Sequence, residues 1–131
     1  MLRKFTLFIS ITLFISTLNA QQSIPNITLK TVNGVKVQSN KFLNQDRFTI
    51  ISFWATWCIP CINELDAINE LYPSWKDKNI DVVAISTDDA RSKKRVRPLV
   101  SGKNWVFEIY SDTNQEFKRA LNVGGIPHTI I

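Results

Sequence analysis

Two cysteines, Cys58 and Cys61, stand three positions apart at the junction of two unlike patterns. Before them, Phe48 to Trp54 is a continuous apolar and β-branched run, the pattern of a strand buried on both faces. After them, apolar residues recur at helical spacing from 59 to about 75: Ile62, Leu65, Ile68, Leu71 or Tyr72, and Trp75. A buried strand that runs straight into a helix predicts an α/β domain. It also places the cysteines in the first turn of that helix.

The rest of the chain repeats the alternation. Residues 26–38 alternate weakly around Asn33-Gly34, which predicts a hairpin with a type I′ turn. Pro73 is expected to kink or end the first helix. Residues 80–86 read as a second buried strand. Asp88 or Asp89 is placed to N-cap a helix reaching about Val100, with Pro98 bending or ending it. Residues 101–104 read as a turn and 105–110 as a third strand. Asp112 is expected to cap a short helix through Ala120. Gly124 and Gly125 then break the chain before Ile126-Pro127, and a further strand begins at His128. Strands alternating with helices predict a parallel α/β sheet. The sequence stops inside the apolar run 128–131, so it reads as lacking at least one strand and one helix.

The first twenty residues differ in kind. Arg3 and Lys4 precede an apolar stretch over 5–18, diluted by Ser and Thr, and Asn19-Ala20 then precede two glutamines. This is the order of a secretory leader, with cleavage expected after Ala20 and a mature domain over 21–131. A spanning helix needs about 20 apolar residues, more than this run offers. Export implies an oxidising compartment, where disulfides persist. Loss of Arg3 and Lys4 lowers the net charge from +5 to +3. That charge argues against nucleic acid as a partner. Five cations do crowd into 91–97 (Arg91, Lys93, Lys94, Arg95, Arg97). They read as a solvated face, or as a docking patch for an acidic partner or anionic lipid. No aromatic residue interleaves with them, which disfavours a nucleic-acid surface further.

The spacing at Cys58-Ile59-Pro60-Cys61 suits disulfide exchange. That chemistry needs one nucleophilic thiolate and a second thiol near enough to resolve a mixed disulfide. Free N–H groups and the helix dipole at a helix start stabilise a thiolate on Cys58. Cys61 falls deeper in the first turn. Pro60 has no N–H to leave unpaired there. A bare pair at this spacing has other readings. A zinc site would need more ligands than two Cys and the single His128, so no metal is expected. A structural staple over so short a loop is worth only about 2 kcal/mol.

The segment Phe53-Trp54-Ala55-Thr56-Trp57-Cys58-Ile59-Pro60-Cys61 resembles the active-site segment of the thioredoxin superfamily, in its exported TlpA-like or ResA-like branch. Ile126-Pro127 resembles that family's cis-proline. The long separation from Cys61 to Pro127 fits the extra strand and helix, about 80–101, that this branch inserts, and the N-terminal hairpin fits too. The resemblance spans about residues 25–131. It implies a thioredoxin-like α/β fold and an exported thiol–disulfide oxidoreductase, acting as a reductant. Cys58 would attack and Cys61 resolve. Trp57 would shield the disulfide, and Ile126, beside Pro127, would offer backbone groups to a substrate strand. Glu64 resembles a residue thought to tune the cysteines or touch substrate; a helix-surface glutamate is the plainer reading. Ser52 replaces the buried acid of plain thioredoxins, and Asp66 stands where many relatives carry a helix-kinking proline. His128 follows the proline and is either structural or near the site.

The resemblance further implies protein thiol or disulfide substrates and an upstream membrane electron donor. A monomer is expected, with no cofactor beyond the redox-active Cys58–Cys61 disulfide. Two alternatives share the fold. A peroxiredoxin would need Pro and Thr where Ile51 and Ala55 stand. A copper carrier of this fold would space its cysteines by three residues and add a histidine.

Overall fold

The computed structural model describes residues 23–42 and 46–131. The leader expected over residues 1–20 lies outside them. Six strands form one sheet: β1 Thr28–Thr31, β2 Lys36–Gln38, β3 Phe48–Trp54, β4 Ile80–Ser86, β5 Glu108–Ser111 and β6 His128–Ile130, in the order β2-β1-β5-β4-β3-β6. Pairing is parallel for β3 with β4 and for β4 with β5. It is antiparallel for β1 with β2 and β5, and for β3 with β6. Among the described residues three α-helices accompany the sheet: α1 Ile59–Lys76, α2 Val96–Lys103 and α3 Glu116–Ala120. The expected α/β architecture with an N-terminal hairpin is present, but the sheet is mixed rather than parallel, because the hairpin strands and β6 join it antiparallel to the parallel β3-β4-β5 centre.

Alternation along each strand explains why β3 and β4 read as unbroken apolar runs: both faces are covered. On one face Trp54, Val82, Ala84 and Ile109 pack against Ile62, Leu65, Ile68 and Tyr72 of α1, and against Val96, Trp105 and Phe107. On the other, Ile51, Phe53, Val83, Ile85 and Tyr110 pack against Leu29, Phe42, Phe117 and Val123. The cysteines belong to the first of these cores. Among the described residues, no helix is long and apolar enough to cross a membrane.

Several local expectations are corrected. The hairpin turn is not type I′, which needs positive φ at both central residues. Only Gly34 is left-handed there, at φ 85°. Gly34 N–H donates to the Thr31 carbonyl and Thr31 N–H to the Val35 carbonyl. This is a three-residue loop with glycine at its left-handed position. Pro73 does not end α1, which runs on to Lys76. Buried Tyr72 and half-buried Trp75 hold the last turn against the sheet, and packing outweighs one lost hydrogen bond.

The segment after β4 is likewise rearranged. Asp89 accepts the N–H groups of Arg91 and Ser92, but it starts a turn and a short 3-10 stretch at Lys93–Arg95. The α-helix begins only at Val96. Pro98 therefore falls in its first turn, where a missing N–H costs nothing. Residues 101–103 remain helical, and left-handed Asn104, at φ 54°, ends α2. The third strand starts at Glu108 rather than Trp105. A side chain of α1 takes the backbone donor of Val106 that a longer strand would have used, and another holds the Trp105 ring. Val106 N–H donates to Asn69 Oδ1 at 2.9 Å, and Trp105 Nε1 to Asp66 Oδ1 at 2.9 Å. Lys103 Nζ also reaches Asp66, at 2.6 Å. Partial burial pushes the Asp66 carboxyl up, but the hydrogen bonds from Lys103 and Trp105 outweigh it and hold it below its ordinary value. Asp112 caps α3 as expected, accepting the N–H groups of Phe117 and Lys118.

Tyr110 offers a test of the second core. It is buried beside Phe42, ring centroids 4.7 Å apart, and its hydroxyl donates to Glu108 Oε2 at 3.2 Å. Burial, then the nearby Glu108 charge, pushes its phenol up to about 12. A raised value means that the fold favours the protonated phenol, so this stabilisation is whole below about pH 10 and is lost as pH rises towards 12. Urea melts should show wild type losing on the order of 2 kcal/mol relative to Tyr110→Phe across that window. Parallel curves for the two proteins would contradict the assignment.

A candidate active site at the start of α1

Cys58 and Cys61 are bonded, S–S 2.07 Å, with Cα atoms 5.3 Å apart. Cys58 is the N-cap of α1. Its φ and ψ of −94° and 94° are extended, its carbonyl accepts the first helical bond from Ile62 N–H at 3.1 Å, and its Sγ accepts from Cys61 N–H at 3.4 Å. A sulfur in that position faces the unpaired N–H groups of the first turn, the environment that favours a thiolate over a thiol. Pro60 sits in that first turn, as its missing N–H allows. Cys58 keeps 6% of its surface exposed and Cys61 1%, so Cys58 is the more accessible of the pair.

The loop that sets this geometry is fastened to the end of β4. The Trp54 carbonyl accepts from Thr87 N–H at 2.8 Å and from Thr87 Oγ1 at 3.2 Å. Thr56 donates its N–H to Asp88 Oδ2 at 2.9 Å and its hydroxyl to Oδ1 at 2.6 Å. Ser86 Oγ adds a third donor to Asp88 at 2.8 Å. Asp88 is fully buried, so its charge is met by these donors rather than by water. Sequence reasoning treated Asp88 and Asp89 as rival helix caps and missed this role. The signal was the doublet itself, because one turn uses only one of two adjacent carboxylates and the other needs donors elsewhere.

The Ile126–Pro127 peptide is cis. The register Phe53↔His128 puts Pro127 beside Trp54, at the point where β3 gives way to the cysteine loop. Ile126 is half-buried and packs against both cores. Glu64 is no plain surface residue. It is half-buried, and its Oε1 accepts from Ser52 Oγ at 3.3 Å and from Thr129 Oγ1 at 2.9 Å. It thus ties α1 to β3 and to the strand that follows the cis-proline. Buried Ser52 stands at the site of the missing acid, with the Glu64 carboxylate as its partner. His128 is exposed, its ring centroid 6.5 Å from that of Phe53. Trp57 and Ile59, flanking Cys58, are 61% and 64% exposed. Trp54 is instead wholly buried, edge-on to Trp105, and its indole N–H reaches no acceptor among the described residues.

A central parallel strand that ends in a disulfide capping a helix, with a cis-proline on the neighbouring strand, is a thioredoxin-like arrangement. The AhpC/TSA family model matches residues 20–131. The chain belongs to the AhpC/TSA family. It is 28% identical over 107 residues to the thiol-disulfide oxidoreductase ResA of Bacillus thuringiensis strain Al Hakam, covering 82% of this chain and 60% of that protein. The chain thus spans about 60% of the length of the curated relatives it matches. An uncharacterized thioredoxin-like protein from Porphyromonas gingivalis superimposes with a TM-score of 0.70 at 42% identity, covering 82% of this chain and 71% of that one. A putative thiol-disulfide oxidoreductase from Bacteroides vulgatus gives 0.68 at 27% identity, over 88% and 74%.

Removing the Asp88 carboxylate should loosen the cysteine loop. Asp88→Ala leaves the Thr56 N–H, the Thr56 hydroxyl and the Ser86 hydroxyl without their partner, each worth about 1–3 kcal/mol when buried and unmet. Urea denaturation should record a loss of at least about 2 kcal/mol. A change under about 0.5 kcal/mol, typical of a surface position, would show that the clamp is dispensable.

Proposed function

We propose that this protein is an exported thiol–disulfide oxidoreductase that reduces disulfides in protein substrates through Cys58 and Cys61. The observation that carries the proposal is the placing of Cys58 Sγ as the cap of α1, bonded to Cys61 one turn on. In the reduced protein the Cys58 thiolate attacks one sulfur of a substrate disulfide. A mixed disulfide forms, and the first substrate thiolate leaves and takes up a proton. Cys61, as thiolate, then attacks Cys58 Sγ, the second substrate thiolate leaves, and the Cys58–Cys61 disulfide forms. Two electrons have passed to the substrate. Ile126 offers backbone groups to the substrate strand, Pro127 borders the approach, Trp57 covers the disulfide edge, and Pro60 sets the first turn. Glu64, held by Ser52 and Thr129, is in this reading the residue that tunes the cysteines or touches substrate.

An upstream membrane dithiol donor would restore the reduced state, and the substrates would be exported proteins with vicinal cysteines, of the apocytochrome type. The protein acts as a monomer, without nucleic acid, metal or a cofactor beyond its own disulfide. Export is inferred from the leader pattern of residues 1–20. The name of the ResA relatives supports the exchange reaction. The peroxiredoxin alternative is weakened by the site itself. Ala55, fully buried, carries no hydroxyl, and Ile51 lies inside β3. The copper-carrier alternative meets a two-residue gap between the cysteines where three are wanted.

The direction of exchange is tested by the reduction potential of Cys58–Cys61, read by Trp fluorescence in defined thiol buffers. A value near about −270 mV, as in thioredoxin, is expected for a reductant kept charged by a donor. A value near about −120 mV, as in strong oxidants, would reverse the direction.

A further inference from the structure

Arg91, the first of the cations at 91–97, shares a pocket with Trp57, the neighbour of Cys58. A pocket of about 410 Å3 is lined by Trp57, Thr87, Asp89, Arg91, Ser92 and Gln115. Thr87 holds the Trp54 carbonyl, so the pocket floor is part of the clamp that positions Cys58. From its rim Lys93, Lys94, Arg95 and Arg97 continue, all exposed. Arg91 itself has 93% of its side-chain surface in solvent. Over residues 88–97 five cations stand against two carboxylates, Asp88 and Asp89, a net charge of +3, and Asp88 is buried among its own donors. Asp89 is engaged by Arg91 at 2.9 Å and by the backbone of the turn. Two further acids, Asp112 and Glu116, share a smaller polar pocket with Lys93; Asp112 is buried and taken up by the N–H groups of Phe117 and Lys118.

Two exposed apolar side chains beside Cys58, Trp57 and Ile59, bordered on one side by a net-positive segment, have the anatomy of a protein-binding surface. The rim sets partner choice and encounter rate more than affinity. Resting on the oxidoreductase reading, we infer that residues 91–97 are a docking site for the acidic flank of the substrate polypeptide whose cysteine meets Cys58. A polypeptide is favoured over a lipid surface because Arg91 shares its pocket with Trp57. Whatever binds the cations is thereby brought to the disulfide, and only a cysteine-bearing chain has use for both.

The test uses the mature, reduced protein and two disulfide-linked peptides, alike except that Glu or Lys flanks the cysteine. Neutral hydroxyethyl disulfide serves as a charge-free reference. The Glu-flanked peptide should be reduced about tenfold faster than the Lys-flanked one at about 20 mM salt, and the ratio should fall to about twofold or less at about 0.5 M. Replacing Lys93, Lys94, Arg95 and Arg97 together by Ser should bring the low-salt ratio below about three. Equal rates for the two peptides in the wild type overturn the docking site, and that result needs no variant to fold. A ratio unchanged in the variant overturns it as well. Binding to phosphatidylglycerol vesicles that depends on these four residues, with a peptide ratio of one, assigns the patch to a membrane and likewise overturns it. If neither the peptides nor hydroxyethyl disulfide is reduced, the oxidoreductase reading fails first and the inference falls with it.

Discussion

Thr56 gives both its backbone N–H and its hydroxyl to the buried Asp88 carboxylate, two residues before Cys58. The rest of the site depends on that clamp. It fixes where β3 stops and α1 starts, and so where Cys58 meets the free N–H groups of the helix. A helix dipole stabilises charge only within its first turn. A sulfur displaced by a few ångströms would lose that field. Thr87 and Ser86 belong to the same network, which reaches β5 through the bond from Asp112 N–H to the Ser86 carbonyl. The ends of the three parallel strands are therefore locked together at the edge where the disulfide sits.

The second constraint comes from the opposite side of β3. Strand β6 pairs with it over Ile51–Phe53 and delivers the cis-proline beside Trp54. Glu64 joins the two strands to α1 through Ser52 and Thr129. Held from β4 on one side and β6 on the other, the cysteine loop has little freedom. A pre-set loop of this kind suits exchange chemistry, where the attacking sulfur must meet a substrate disulfide in line.

What the sequence made legible was what repeats at short range. Buried strands over 48–54 and 80–86, the helix after Cys58 and the Asp112 cap all follow from periodicity or capping chemistry, and all are present. What escaped depends on partners far along the chain. Residues 105–107 look like a strand until Asn69, more than thirty positions earlier, takes the Val106 N–H and Asp66 holds the Trp105 ring. Pro73 looks like a helix end until Tyr72 and Trp75 are seen packed on the sheet. Asn33-Gly34 signals a turn, yet which residue turns left-handed is settled by the register of β1 and β2. At the site the cysteines and Ile126-Pro127 were readable as motifs. The clamp at Asp88 and the bridge at Glu64 were not, because a carboxylate's use depends on which donors the fold brings to it.

The central claim is that the start of α1 makes Cys58 a nucleophile. The most direct measurement is the thiolate titration of the reduced protein, followed by absorbance near 240 nm, with Cys58→Ala and Cys61→Ala variants to assign the steps. The account predicts that Cys58 ionises at about 7 or below, as helix-start thiols in such pairs do, with Cys61 well above it. A Cys58 value at or above about 8.5, that of an ordinary free cysteine, would contradict it.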